Sequence, residues 1–194
     1  MTETSKGISV SYANDQVYVR VAGRGTFQNG QPLRRYSLEM INRGCHNFVV
    51  DLSQCQGMDS TFLGVLAGLG LRLAQDGRSD KICVVNVSAR NLELVQTLGL
   101  DRLFNLDAGS GGNHRAPPEA EFHKLPESDV TELSKPLNKN DTANLMLEAH
   151  ENLIRADARN VDKFRDVAKN LRESVERRAA AQQLEREPEP DNDM

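Results

Sequence analysis

Residues 8–107 predict an α/β fold: a mixed sheet in the order β-β-α-β-α-β-α-β, with helices packed on one face. Three observations predict it. Two segments near the start alternate apolar and polar residues, the two-residue period of half-buried strands. Two later runs, 47–52 and 81–87, are apolar without alternating, as suits strands buried on both faces. An apolar helical segment lies between those runs, which makes a βαβ unit.

Residues 8–12 (Ile-Ser-Val-Ser-Tyr) and 16–22 (Gln-Val-Tyr-Val-Arg-Val-Ala) form the alternating pair. Asn14-Asp15 between them is turn chemistry, so the pair reads as a hairpin. Gly23, Gly25 and Gly30 mark a loop. A helix over 31–43 follows, with Leu33, Tyr36, Leu38, Met40 and Ile41 as its apolar side. Gly44 closes it as a left-handed cap. The second helix runs from Ser60 to Asp76-Gly77. Its Gly64, Gly68 and Gly70 are expected to allow close packing on the sheet. Ser88 or Asn91 caps a helix over 91–98, Gly99 stops it, and a last strand covers Leu103 to Leu106.

Beyond residue 107 the composition changes. Residues 108–140 are rich in Gly, Pro, Ser and charge and read as a flexible linker, although Phe122, Leu125, Val130 and Leu133 are available to dock on the domain. Residues 141–184 contain no Gly or Pro, so a separate C-terminal helical segment is expected, capped by Asn140 or Asp141. Leu147, Ile154, Val161, Ala168 and Val175 recur every seven residues. Phe164 and Leu171 add a second seam position in the later half, where the earlier half has His150 and Asp157. A coiled coil, giving a homodimer through this helix, fits the pattern. A helical hairpin broken near Asp157–Asn160 fits it equally well. Residues 185–194 read as a disordered acidic tail.

Composition narrows the function. The net charge is −4, so phosphate-dominated nucleic-acid binding is not expected. Trp is absent and aromatics make up 5%, which disfavours base stacking. The first residues lack an apolar signal-peptide core, and no apolar stretch is long enough to cross a membrane. Cys45, Cys55 and Cys83 form no CxxC pair, which fits a reducing cytoplasm better than a disulfide framework. They do not cluster with His46, His114, His123 or His150 in sequence, so no metal or other cofactor is expected. Enzymatic motifs are missing: Gly23-Arg-Gly25 lacks a third glycine, and there is no GxSxG, HExxH or GKS/GKT. Asp51 and Asp59 read as solvated loop carboxylates. A binding protein is expected, not an enzyme.

The segment Val50-Asp51-Leu52-Ser53-Gln54-Cys55-Gln56-Gly57-Met58-Asp59-Ser60-Thr61-Phe62-Leu63-Gly64-Val65-Leu66 ends a buried strand, crosses a loop and opens an apolar helix. It resembles the signature of STAS domains, the fold of bacterial anti-sigma factor antagonists, in which Met-Asp-Ser-Ser/Thr-Gly-Leu-Gly opens the helix. Asp59, Ser60, Thr61, Leu63 and Gly64 match that pattern, as do the element order and the Leu98-Gly99-Leu100…Leu103-Phe104 ending. The resemblance implies a partner that is an anti-sigma factor of serine-kinase fold. It implies phosphorylation at Ser60, with Thr61 the less favoured site, and a partner surface of Asp59, Ser60, Thr61 and Gly64. Phe62 beside them is either an aromatic anchor for the partner or simple core packing. Unphosphorylated, such a protein binds the anti-sigma factor and frees a sigma factor; phosphorylation ends the binding. Phe62 departs from the family's Gly, and the 23–28 loop lacks the acidic residue common there. Some STAS domains are instead unphosphorylated docking subunits of membrane transporters, including phospholipid transporters. That role, or an oligomeric scaffold built on the C-terminal heptads, is the alternative.

Overall fold

The structure, a computed structural model, describes residues 6–75, 81–107, 121–125 and 138–184. Its centre is a seven-stranded sheet. Strands β1 (Gly7–Ala13) and β2 (Gln16–Gly25) form the antiparallel hairpin. Asn14 and Asp15 turn it with φ of 52° and 60°, the left-handed region that hairpin turns require. Strands β3 (Asn47–Asp51), β5 (Ile82–Val85) and β6 (Phe104–Asp107) then run parallel to β2, giving the order β6-β5-β3-β2-β1.

The side chains of β2, β3 and β5 alternate between two faces. Val17, Val19, Phe48, Val50, Ile82 and Val84 point into one core with Leu33, Met40, Phe62, Leu63, Leu66 and Leu73. These helical residues belong to α1 (Phe27–Asn42) and α2 (Ser60–Gln75). The opposite face holds a smaller cluster of Tyr18, Val49 and Cys83, against which Phe122 packs. The Arg20 guanidinium lies 4.0 Å from the centre of the Phe122 ring.

Two strands were not expected. β4 (Cys55–Met58) lies in the segment read as a loop and pairs with the Gly23–Gly25 end of β2 across a register shift. β7 (His123–Leu125) falls inside the stretch read as linker and adds antiparallel to β1, with Ile8 opposite Leu125. Both are short and low in β-branched residues, so their pairing comes from a neighbouring edge and not from propensity. The rest of the expected linker, 108–120 and 126–137, lies outside the described residues, as do Val130, Leu133 and the tail 185–194.

The first helix begins at Phe27, four residues before the expected start. Thr26 is its N-cap, and Asn29 Oδ1 accepts the Thr26 N–H at 2.8 Å. Gly30, which had marked a loop, therefore sits inside the helix with Pro32. Helix α3 (Ala89–Thr97) is capped by Ser88, whose side chain accepts the Asn91 N–H. Asn91 instead reaches back to the Cys55 carbonyl, at 3.1 Å.

The C-terminal segment is a helical hairpin. Helix α4 (Lys139–Ala156) is capped by Asn138, which accepts from the Asn140 and Asp141 N–H groups. A 3-10 turn at Ala158–Asn160 leads into α5 (Val161–Leu184). Asp157 makes the break: its extended backbone ends α4, and its buried carboxylate accepts from the Arg159 N–H and guanidinium. Asn160 is fully buried and donates to the carbonyls of Leu98 and Leu153. The hairpin folds back on the domain, and α4 lies along α2.

Candidate partner-binding site

The site is built where β4 ends and α2 begins. Asp59 is the residue before the helix, and its two carboxylate oxygens serve two helices. Oδ1 accepts the Phe62 N–H at 2.8 Å, capping α2. Oδ2 accepts the Phe27 N–H at 2.9 Å, at the start of α1. Its own N–H donates to the Gly25 carbonyl at 2.9 Å. A carboxylate at two helix N-termini also meets the positive ends of two helix dipoles. Asp59 is thus a clamp, not a solvated loop carboxylate. Asp51 is likewise engaged: it pairs with Arg20 at 3.4 Å and accepts from Ser53 N–H and Asn86 Nδ2.

Ser60 is the first residue of α2, and its neighbours are placed unequally. Thr61 is buried. Phe62 has no exposed surface and lies in the core. A Cβ on Gly25 would fall 2.6 Å from the Phe62 ring, so the bare glycine is what admits the ring. In this conformation Phe62 offers no surface to a partner. Gly64 is covered, because a Cβ there would collide with the backbone of Ala149 in α4. Gly68 similarly faces the Asn152 side chain. These two glycines admit α4, where packing on the sheet had been expected; only Gly70 turns towards Leu103 and Phe104.

The Ser60 hydroxyl is half-buried and lies 3.2 Å from His150 Nε2. His150 Nδ1 sits 2.7 Å from the Met146 carbonyl. A carbonyl only accepts, so Nδ1 carries a proton. In the neutral tautomer with that proton, Nε2 accepts the Ser60 O–H. The imidazole is buried, and its ring centre is 5.3 Å from that of Phe164 in α5. Nearby, Asn152 Nδ2 donates to the Gly64 carbonyl at 3.2 Å, and Arg34 pairs with Glu148 at 2.8 Å. Sequence reasoning placed Ser60 at the helix start but missed His150, Ala149 and Asn152. The signal for His150 was present: a polar residue in an apolar seam position needs a partner.

The other reactive groups form no second site. Cys45, Cys55 and Cys83 are free and buried. Burial pushes the Cys55 and Cys83 thiols up, which disfavours the reactive thiolate. Among the described residues there is no cluster of His, Cys, Asp and Glu able to hold a metal, and no helix long and apolar enough to cross a membrane.

The architecture is that of a small α/β domain with a half-buried serine at the start of its central helix. Residues 8–106 match the family model described as Mlab, STAS domain, just over half of the chain. The chain belongs to the STAS domain family. No curated protein matches the chain. Among solved structures it is similar to a putative anti-sigma factor antagonist from Thermotoga maritima, at 17% identity. That match covers 50% of this chain and 83% of the other, with a TM-score of 0.46. It is also similar to the anti-sigma factor antagonist SpoIIAA in its unphosphorylated form, at 16% identity. There the match covers 46% of this chain and 82% of the other, with a TM-score of 0.42.

Proposed function

We propose that the chain is a regulator of the anti-sigma factor antagonist kind, a binding protein without catalytic activity. Its Ser60 face binds an anti-sigma factor or another serine-kinase-fold partner, and phosphorylation of Ser60 ends that binding. One observation carries the reading. Asp59 holds α1 and α2 together, while the Ser60 hydroxyl makes no hydrogen bond to the domain itself among the described residues and bonds only to His150. The domain's own strands and helices make no use of that hydroxyl, so a modification there leaves them intact.

The electrostatics support the same assignment. A phosphate adds about −1.5 to −2 charges. At the first residue of a helix such charge is favoured by ~0.3–1 kcal/mol. The domain tolerates the group, so its cost falls on whatever packs against α2. Opposing or burying it at an interface costs several kcal/mol, enough for a hundredfold loss of affinity.

A second reading is a constitutive docking subunit, as of a membrane transporter. Two observations favour it: Phe62, where the family commonly has Gly, and the covered state of Ser60. The test is affinity capture with full-length Ser60→Ala and Ser60→Asp as baits. Recovery of a kinase-fold protein on Ala and its loss on Asp supports the switch. Equal recovery of the same proteins on both baits rejects it.

A further inference from the structure

The STAS domain is complete without the C-terminal hairpin. The family match ends at residue 106, and the sheet, α1, α2 and α3 all precede α4. Yet α4 lies against the stripe Ser60, Gly64 and Gly68, one turn apart along α2. Ala149 meets Gly64 backbone to backbone. His150 takes the Ser60 hydroxyl, and Asn152 takes the Gly64 carbonyl. Leu145 and Leu153 complete the contact from the same side of α4. These spacings are the i, i+4, i+8 pattern of a helix read by a facing helix. A stripe of small residues alone would say little; here its occupant is seated on it.

The seam is mixed: Leu145 and Leu153 join the main core and the Asn152–Gly64 bond is buried, while Arg34–Glu148 at its edge is only partly buried. Between α1, α2 and α4 a cleft of about 270 Å³ remains, lined by Leu33, Ser37, Leu69, Leu145, Glu148 and Arg155. Twelve residues, 126–137, separate β7 from α4 in the sequence.

We propose that the α4–α5 hairpin is a displaceable occupant of the α2 face, a stand-in for the partner. The face accepts a helix, and an outside helix enters only after α4 has left. This deepens the reading of Ser60 as the partner face and rests on it for what the outside helix belongs to. The Ser60–His150 bond is the latch. A phosphoryl group on Ser60 does not fit within that bond while Ala149 touches Gly64, so the modification and the docked hairpin exclude each other.

Hydrogen exchange on the full chain tests displacement. Local opening gives faster exchange than global unfolding. Amides of 139–156 should exchange about tenfold or more faster than those of β2 and β3. Ala149→Glu, which alters only the hairpin side, and Gly64→Ala, which alters only the domain side, should each speed α4 further and leave β2 and β3 unchanged. A fluorescent peptide of residues 138–160 is the probe for the vacated face. It should bind full-length Ala149→Glu about tenfold or more tighter than wild type, and the same peptide carrying Ala149→Glu should not bind. Exchange of α4 in step with β3, or equal peptide binding to wild type and Ala149→Glu, overturns the proposal. Neither arm contains a kinase-fold partner, so their failure leaves the Ser60 switch standing. Conversely, equal capture on the Ser60 baits removes the switch and leaves the opening of α4 measured.

Discussion

Ser60 Oγ lies 3.2 Å from His150 Nε2, across ninety residues of chain. That contact joins the residue that the resemblance marks as the switch to a helix that lies beyond the family match. Breaking it should loosen the hairpin and spare the domain. His150→Ala removes the hydrogen bond and the contact with Phe164. It should destabilise α4 docking by about 1–2 kcal/mol. The check is limited proteolysis of full-length protein: cleavage within α4 should accelerate while the fragment spanning β1–β6 persists.

Asp59 should matter more to stability than Ser60. Asp59→Ala strips the cap from α2 and leaves the Phe27 N–H without its acceptor. The expected cost is about 2–3 kcal/mol, a cap and a charge-assisted bond together. Ser60→Ala should cost less than about 1 kcal/mol. Urea titrations of the two variants measure the difference directly.

Gly25 and Phe62 form a fitted pair, since the ring occupies the space a Cβ would need. Phe62→Ala should cost about 3–5 kcal/mol through the cavity it leaves. Gly25→Ala should cost about 1–3 kcal/mol by overpacking. The double variant should be more stable than the two costs added together predict, because the alanine methyl enters the vacated space. A double-mutant cycle in urea reads that coupling.

Asp157 gives the hairpin elbow a pH dependence. The side-chain bonds from Arg159 hold its carboxyl well below the usual carboxylate range. A depressed folded value means that the native state binds fewer protons than the unfolded chain. The contribution is present above the unfolded value of ~3.9 and is lost as pH falls below it. Asp157→Asn should therefore lose stability at pH 7 and show a flatter decline between pH 5 and 3. Urea midpoints of both proteins across that range check it.

The sheet was legible because its signals are local. Alternation marked β1 and β2, and unbroken Val runs marked β3 and β5. The C-terminal hairpin was one of two readings of the same heptads, and Asp157 decided between them by capping the turn. Where sequence reasoning failed, a partner elsewhere supplied the structure. β4 and β7 pair on edges that composition does not reveal. Gly30 looked like a loop, but Thr26 and Asn29 start the helix ahead of it. Asp59 and Ser60 were found through the motif. His150 was not, because its role depends on how α4 lies along α2, and no spacing within one helix encodes that.

The central claim is that Ser60 is a phosphorylation switch on a binding face. The most direct measurement is intact mass and site mapping of the full-length chain purified from the cells that make it, beside Ser60→Ala. The account predicts a fraction heavier by one phosphate, mapped to Ser60 and absent from Ser60→Ala. An unmodified Ser60 under all growth conditions, or the same phosphate persisting in Ser60→Ala, would contradict it.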